Sequence, residues 1–206
     1  MKYVSELILR YPALSALKEK VSVAVEQMKK CYRDGGTVYI AGNGGSCADA
    51  EHISGELLKG FMLKRTPTVD ELQKLSVALG DEASLLQRGV PSVPLSSLSA
   101  TMTAFCNDVE PSLVFAQLVY ALGKPCDLLI CLSTSGNSEN VVKAALTAKA
   151  LGIYTIALTG EGGGRLSSVC DLVLAVPEKE TYRVQELHLP IYHALCAQVE
   201  EDIFNN

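Results

Sequence analysis

The sequence lacks most of the features that would assign it to a special class. No CxxC pair occurs, and the seven cysteines (Cys31, Cys47, Cys106, Cys126, Cys131, Cys170, Cys196) form an odd set with no paired spacing. That argues against a disulfide framework and suits small buried thiols in a reducing compartment. No apolar run reaches the ~18 residues that a membrane span requires. The opening MKYVSELILRYP carries an acid and a proline instead of the apolar centre of a signal peptide. The expectation is a cytoplasmic chain with no membrane partner. Basic residues are also too scattered to form a stripe, and the formal net charge is -5. This excludes an electrostatic footprint for nucleic acid, while a local site could still take a small anion. There are no internal repeats and no low-complexity tracts. Histidine is scarce, with three in the whole chain.

What is present is a core and a rhythm. The 206 residues are 48% hydrophobic and 20% charged, enough for one domain of the larger sort. Leu14, Leu17, Val21, Val25 and Met28 recur at helical spacing and predict an amphipathic helix near the start. Short apolar runs follow as predicted strands: Thr37 to Ala41, VPSVPLS, CDLLICLS, IYTIALTG and DLVLAVP. Helices are expected between them over Cys47–Lys59, Leu98–Phe105, Ser112–Leu122 and Ser138–Leu151. Two short ones are expected at Val69–Leu79 and Glu82–Gln87. A long terminal helix from about Arg183 to Phe204 carries Pro190 inside it. Strands alternating with helices imply a parallel sheet covered on both faces, an α/β fold.

Three of these strands run into polar, glycine-rich turns: GNGGS, STSGNS and TGEGGG. Ligands of open parallel sheets gather beyond the carboxyl ends of strands, so these turns nominate the site. In DLLICLSTSGNSENVVKAAL the hydroxyls of Ser133, Thr134, Ser135 and Ser138 meet a helix start. Its free N–H groups and dipole would hold a phosphate there. The alternative is an ordinary turn with Ser138 as a plain N-cap. GNGGS, a second such turn, favours the phosphate. Neither turn is GxGxxG or carries GK[ST], which disfavours a nucleotide. His52 and Glu56 stand one helical turn apart, either as a surface pair or as an HxxxE pair able to ligate a metal or move protons. His188 reads as a hydrogen-bonded core histidine, and Asn107–Asp108, taken alone, as a helix stop.

GNGGS with DAEHISGE, then STSGNS, IALTGEGGG and RVQELHLPIYH, occur in the order found in sugar isomerase (SIS) domains. Together they resemble the phosphoheptose isomerase branch of that superfamily. The resemblance runs from Thr37 to the end, a single SIS domain over 37–206, with a helical extension over 1–36 before it. It implies a five-stranded parallel sheet flanked by helices, a flavodoxin/Rossmann-like three-layer sandwich, in a homotetramer with sites at subunit interfaces. It implies conversion of sedoheptulose 7-phosphate to glycero-manno-heptose 7-phosphate. It carries His52, Glu56, Gln185 and His193 onto zinc-binding positions, one divalent ion per subunit, and gives Glu56 and His193 the proton transfers. It places Asn43, Gly44 and Gly45 against the sugar, with Glu56 and Gln185 also at the substrate. Ser46 and the four residues of the serine turn go to the phosphate, and Asn107 and Asp108 to substrate hydroxyls.

The chemistry explains why these residue types belong together. Moving a carbonyl from C2 to C1 takes a proton from one carbon and returns it to its neighbour through an enediol. A carboxylate and an imidazole can serve as base and acid near neutral pH. Helix geometry sets one condition. Gln185 and His193 are eight positions apart, ~12 Å along an ideal helix and about 80° apart in facing. Sharing an ion would need a frayed start, a bend at Pro190, long reach or an interface. The chain also departs from the family pattern. It has extra helical length at about 63–91 between Glu56 and Asn107. Lys59, Gly60 and Phe61 stand where an arginine is usual, and Thr181 and Tyr182 replace an acidic or small residue. Two other readings compete with an enzyme: a non-catalytic SIS-domain protein that binds a replication initiator, and a sugar-phosphate sensor. Retention of all four metal and proton-transfer residues favours the enzyme.

Overall fold

The computed structural model describes residues 1–205. Five all-parallel strands form one sheet: β1 (Val38–Gly42), β2 (Ser92–Pro94), β3 (Leu128–Leu132), β4 (Tyr154–Thr159) and β5 (Leu172–Ala175). Their spatial order is β2-β1-β3-β4-β5. The expected sheet is therefore present, with β1 and β3 as neighbours at the point where the strand order reverses.

The apolar runs form strands because both of their faces are covered, and every residue of β1 and β3 is buried. Alternation sorts the side chains into two cores. Val38, Ile40, Leu128, Ile130 and Leu132 join one cluster, and Tyr39, Ala41, Leu129 and Cys131 the other. The first core lies under α1 (Lys2–Arg10), α2 (Lys18–Arg33), α3 (Gly45–Leu58) and the terminal helix. The second lies under α5 (Ser99–Asp108), α6 (Val114–Leu122), α7 (Glu139–Ala150) and the short α8 (Leu166–Val169).

Several elements differ from expectation for local reasons. The single N-terminal helix is divided at Tyr11–Pro12, because proline disfavours helix in the residue before it. A 3-10 turn, Pro12–Leu17, links the two pieces. Both helices and the link enter the main core, α1 through Val4 and Leu7, the link through Leu14 and Leu17, and α2 through Val21, Val25 and Met28. In the 63–91 stretch, α4 (Val69–Leu79) forms with a capping box between Thr68 and Glu71, while the second expected helix is a 3-10 turn over Gly80–Leu85. The terminal helix α9 (Thr181–Phe204) runs unbroken through Pro190. No described helix is long and apolar enough to cross a membrane.

Candidate active site

The turn after β3 is built so that its backbone donors stay free. Ser138 takes the N-cap position of α7, yet its hydroxyl caps no N–H and instead pairs with Ser133 Oγ at 2.9 Å. Among the described residues the amides of Thr134, Ser135, Glu139 and Asn140 have no protein partner. The loop is held by its own small residues. Asn137 N donates to Ser135 Oγ at 3.1 Å, and Asn137 Oδ1 accepts from Arg165 N at 2.9 Å. Gly136 has φ 67, and a Cβ there would run into the carbonyl of Gly163, so only glycine lets the serine turn and the TGEGGG turn touch. The result is a set of unpaired N–H groups and hydroxyls at a helix start, the arrangement that binds a phosphate.

The turn after β1 sits beside it. Asn43 and Asn140 exchange side-chain amide bonds of 2.9 and 3.0 Å, tying GNGGS to the first turn of α7. Gly44 takes the N-cap position of α3, Gly45 opens the helix, and Ser46 is buried just inside it. A Cβ on Gly45 would collide with the amide of Gln185. Gln185 thus lies against this loop, level with the start of α3.

One to three turns further along α3, three of the expected residues meet. His52 Nε2 lies 3.2 Å from Glu56 Oε1 and 3.4 Å from His193 Nε2, with the two imidazoles edge to face. Phe61 packs on the ring of His193. Burial and the neighbouring His52 lower the His193 pKa below the usual histidine value, against the pull of Glu56. A neutral imidazole is therefore favoured there, ready to accept a proton. Lys59 Nζ stands 3.7 Å from the other Glu56 oxygen, where the family pattern has an arginine nearby.

The end of α3 is held by a buried clamp. Arg65 donates from Nη1 to the Leu57 carbonyl at 2.6 Å and from Nη2 to the Glu56 carbonyl at 2.9 Å. Its Nε pairs with Glu200 at 2.6 Å, both side chains being fully buried. The Glu200 carboxylate also accepts the backbone N–H groups of Phe61, Met62 and Leu63. Every lone pair direction of the acid is used, as a buried charge requires.

These separations bear on a metal. Tetrahedral ligands at ~2.0–2.1 Å from zinc stand roughly 3.3 Å from one another. The His52–His193 and His52–Glu56 distances fall near that edge length. The donor set of two imidazoles and a carboxylate also suits zinc. Among the described residues, however, no group of three or more His, Cys, Asp or Glu is already arranged round one point. Gln185 lies apart from the trio, as the eight-residue spacing on a straight α9 dictates.

The remaining sequence candidates are accounted for separately. Asn107 and Asp108 form the exposed last turn of α5, bonded to each other at 2.8 Å. His188 is a core residue, as its apolar surroundings indicate. It is fully buried, with Nε2 3.3 Å from the Thr159 carbonyl, and burial pulls its pKa down to about 4. Sequence reasoning missed Arg65, Glu200, Asn140, Asp49 and Tyr192. Only Asp49, one turn before His52, and Tyr192, adjacent to His193, had a positional signal. A cavity of about 320 Å³ opens on the far side of His193, lined in part by Tyr3, Glu6 and Arg10 of α1 and by Phe61, Met62 and Pro190.

A parallel sheet with a hydroxyl-lined turn of open amides at its switch point, and a carboxylate–imidazole group further along α3, fits a domain that handles sugar phosphates. The family model described as "SIS domain" matches residues 2–77 and 89–160. A phosphoheptose isomerase of Aneurinibacillus thermoaerophilus is 37% identical over 203 residues, 98% of this chain and 90% of that protein. A phosphoheptose isomerase structure from Francisella tularensis superposes with a TM-score of 0.78 at 31% identity, over 97% of this chain and 95% of that one. One from Neisseria gonorrhoeae gives 0.76, also at 31%, over 96% and 94%. The chain belongs to the SIS-domain family, in its phosphoheptose isomerase branch.

Proposed function

We propose that this chain converts sedoheptulose 7-phosphate to D-glycero-D-manno-heptose 7-phosphate through an enediol, supplying heptose biosynthesis. The observation that carries the reading is the meeting of Glu56, His52 and His193 on elements that also frame the open-amide serine turn. The serine turn and Ser46 hold the phosphate and so fix the position of the reacting carbons. Asn43, Gly44, Gly45 and Gln185 line the path between. Glu56 and His193 form the base–acid pair, one taking the proton from C1 and the other serving C2 and the oxygens. Lys59, close to Glu56, faces the developing negative charge. His52, Glu56 and His193 are the residues that would hold zinc; Gln185, the fourth position the resemblance names, lies against Gly45, apart from them. The ion when bound supplies Lewis-acid polarisation of the carbonyl.

The span suits the substrate. His52 rises ~10 Å, and Glu56 ~16 Å, along the α3 axis from Gly45. The separation along α3 between the phosphate turn and the carbonyl end is thus of the order of an extended heptulose phosphate. Asn107 and Asp108, exposed on α5 and apart from the trio, would serve the substrate of a neighbouring copy. We assign a homotetramer because the resemblance to phosphoheptose isomerases implies one. We also assign the cytoplasm, the compartment suited to seven unpaired thiols.

The test is a coupled isomerase assay over a panel of ketose phosphates of different lengths, on metal-stripped and zinc-restored protein. The heptulose phosphate should be turned over fastest, and zinc should restore the stripped protein. Turnover of none of the panel under either condition would leave a non-catalytic SIS protein.

A further inference from the structure

Behind the metal and proton-transfer residues lie two polar groups, Tyr192 and Asp49, that the reaction itself does not use. Tyr192, on α9 and 1% exposed, places its hydroxyl 3.1 Å from Asp49 Oδ1 and 3.1 Å from His52 Nδ1. Asp49 Oδ2 is buried and has no partner among the described residues. The phenol has one proton to give and two neighbours to satisfy.

Hydrogen-bond inventory decides the direction. An ionised carboxylate only accepts, and a neutral imidazole donates from one nitrogen and accepts at the other. If Tyr192 gave its proton to His52 Nδ1, Asp49 would lose its one bond as well, leaving a half-buried carboxylate with neither oxygen satisfied. The opposite tautomer would gain an Nε2–H bond to Glu56, but Glu56 has Lys59 beside it whereas Asp49 has no other donor among the described residues, so orphaning Asp49 is the costlier arrangement. With the phenol proton on Asp49, Tyr192 oxygen must accept, and the only donor in reach is the Nδ1–H of His52. The tautomer is then fixed, with a proton on Nδ1 and a bare lone pair on Nε2. That lone pair faces Glu56 Oε1 at 3.2 Å and His193 Nε2 at 3.4 Å. Electron-rich atoms converging in this way are stabilised by a cation between them.

We infer that Tyr192 and Asp49 are positioning residues that lock His52 in its Nδ1–H tautomer and so prepare its Nε2 as a metal donor. The inference deepens the zinc reading and rests on it for the consequence, though not for the tautomer. Outer partners of this kind orient imidazole ligands, and their loss typically weakens metal binding by about 10–100-fold.

Tyr192→Phe keeps the aromatic ring that packs edge-on against His52 and removes only the hydroxyl. Two measurements on metal-stripped protein separate the outcomes. Nitrogen–proton correlation spectra of histidine-labelled wild type should show His52 protonated at Nδ1, and Tyr192→Phe should lose that preference. Competition with a chromogenic chelator should show zinc binding weakened about 10–100-fold in Tyr192→Phe. Wild-type spectra with the proton on Nε2, or zinc affinity in Tyr192→Phe within twofold of wild type, would overturn the inference. If wild type binds no zinc at all, the metal reading fails, and the spectra alone judge the relay. Should Tyr192→Phe not fold, Asp49→Asn carries the same two expectations, because an amide can donate to the phenol oxygen and reverse the chain.

Discussion

His188 and His193 share one helix, and the fold uses them in opposite ways. His193 is half-buried beside His52 and Glu56, while His188 is sealed under β4 with its pKa pulled down to about 4, chiefly by burial. The pH consequence of His188 follows from linkage. Above pH 6.5 it is neutral in both folded and unfolded chains and contributes nothing. As pH falls through 6.5 the unfolded chain takes up the proton and the folded chain refuses it. Stability is therefore lost progressively down to about pH 4, by up to about 3 kcal/mol. Urea unfolding at pH 7 and pH 4.5 should show this loss in wild type and a smaller one in His188→Gln. Equal losses in the two proteins would mean that His188 is not the buried neutral group described.

At the scale of elements, two loops and one helix end set the site. Gly136→Ala puts a side chain at φ 67 against the Gly163 carbonyl, so the serine turn and the TGEGGG turn must part. A loss of about 1–3 kcal/mol is expected, with KM for the sugar phosphate rising more than kcat falls. Glu200→Gln removes one partner of the buried pair with Arg65 and weakens three backbone bonds, for a loss of about 3–5 kcal/mol in urea unfolding. Because Arg65 also holds the carbonyls of Glu56 and Leu57, kcat should fall with it. The strands and the glycine turns were legible in the sequence because an apolar run followed by small polar residues is a local pattern. The Arg65–Glu200 clamp was not, since its partners are 135 residues apart and each alone reads as an ordinary surface charge. The Asn43–Asn140 bridge and the Tyr192–Asp49 bond were hidden for the same reason. The break at Pro12 could have been read locally, but helical spacing on either side of it masked the interruption.

At the scale of the whole molecule, α4 bears on the assembly proposed above. α4 has no buried residue, and Val69 and Val77 are 71% and 90% exposed on it. An amphipathic helix gains its stability from an apolar face that is covered, so a second copy is the expected cover. Val77→Asp should shift the assembly toward smaller species in light scattering and lower turnover, leaving the protomer's helical content unchanged. An unaltered mass would remove α4 from the interface. Sequence alone gave the family and three of the meeting residues. The assembly proposed above rests on surface contacts between copies, which a single chain's pattern does not encode. The proton-transfer assignment itself is open to one direct measurement, the turnover of sedoheptulose 7-phosphate by Glu56→Gln beside wild type, with folding verified by circular dichroism. Loss of one member of the base–acid pair should slow turnover by about 10²–10⁴-fold. A rate within a few-fold of wild type would contradict the role given to Glu56 and, with it, the site.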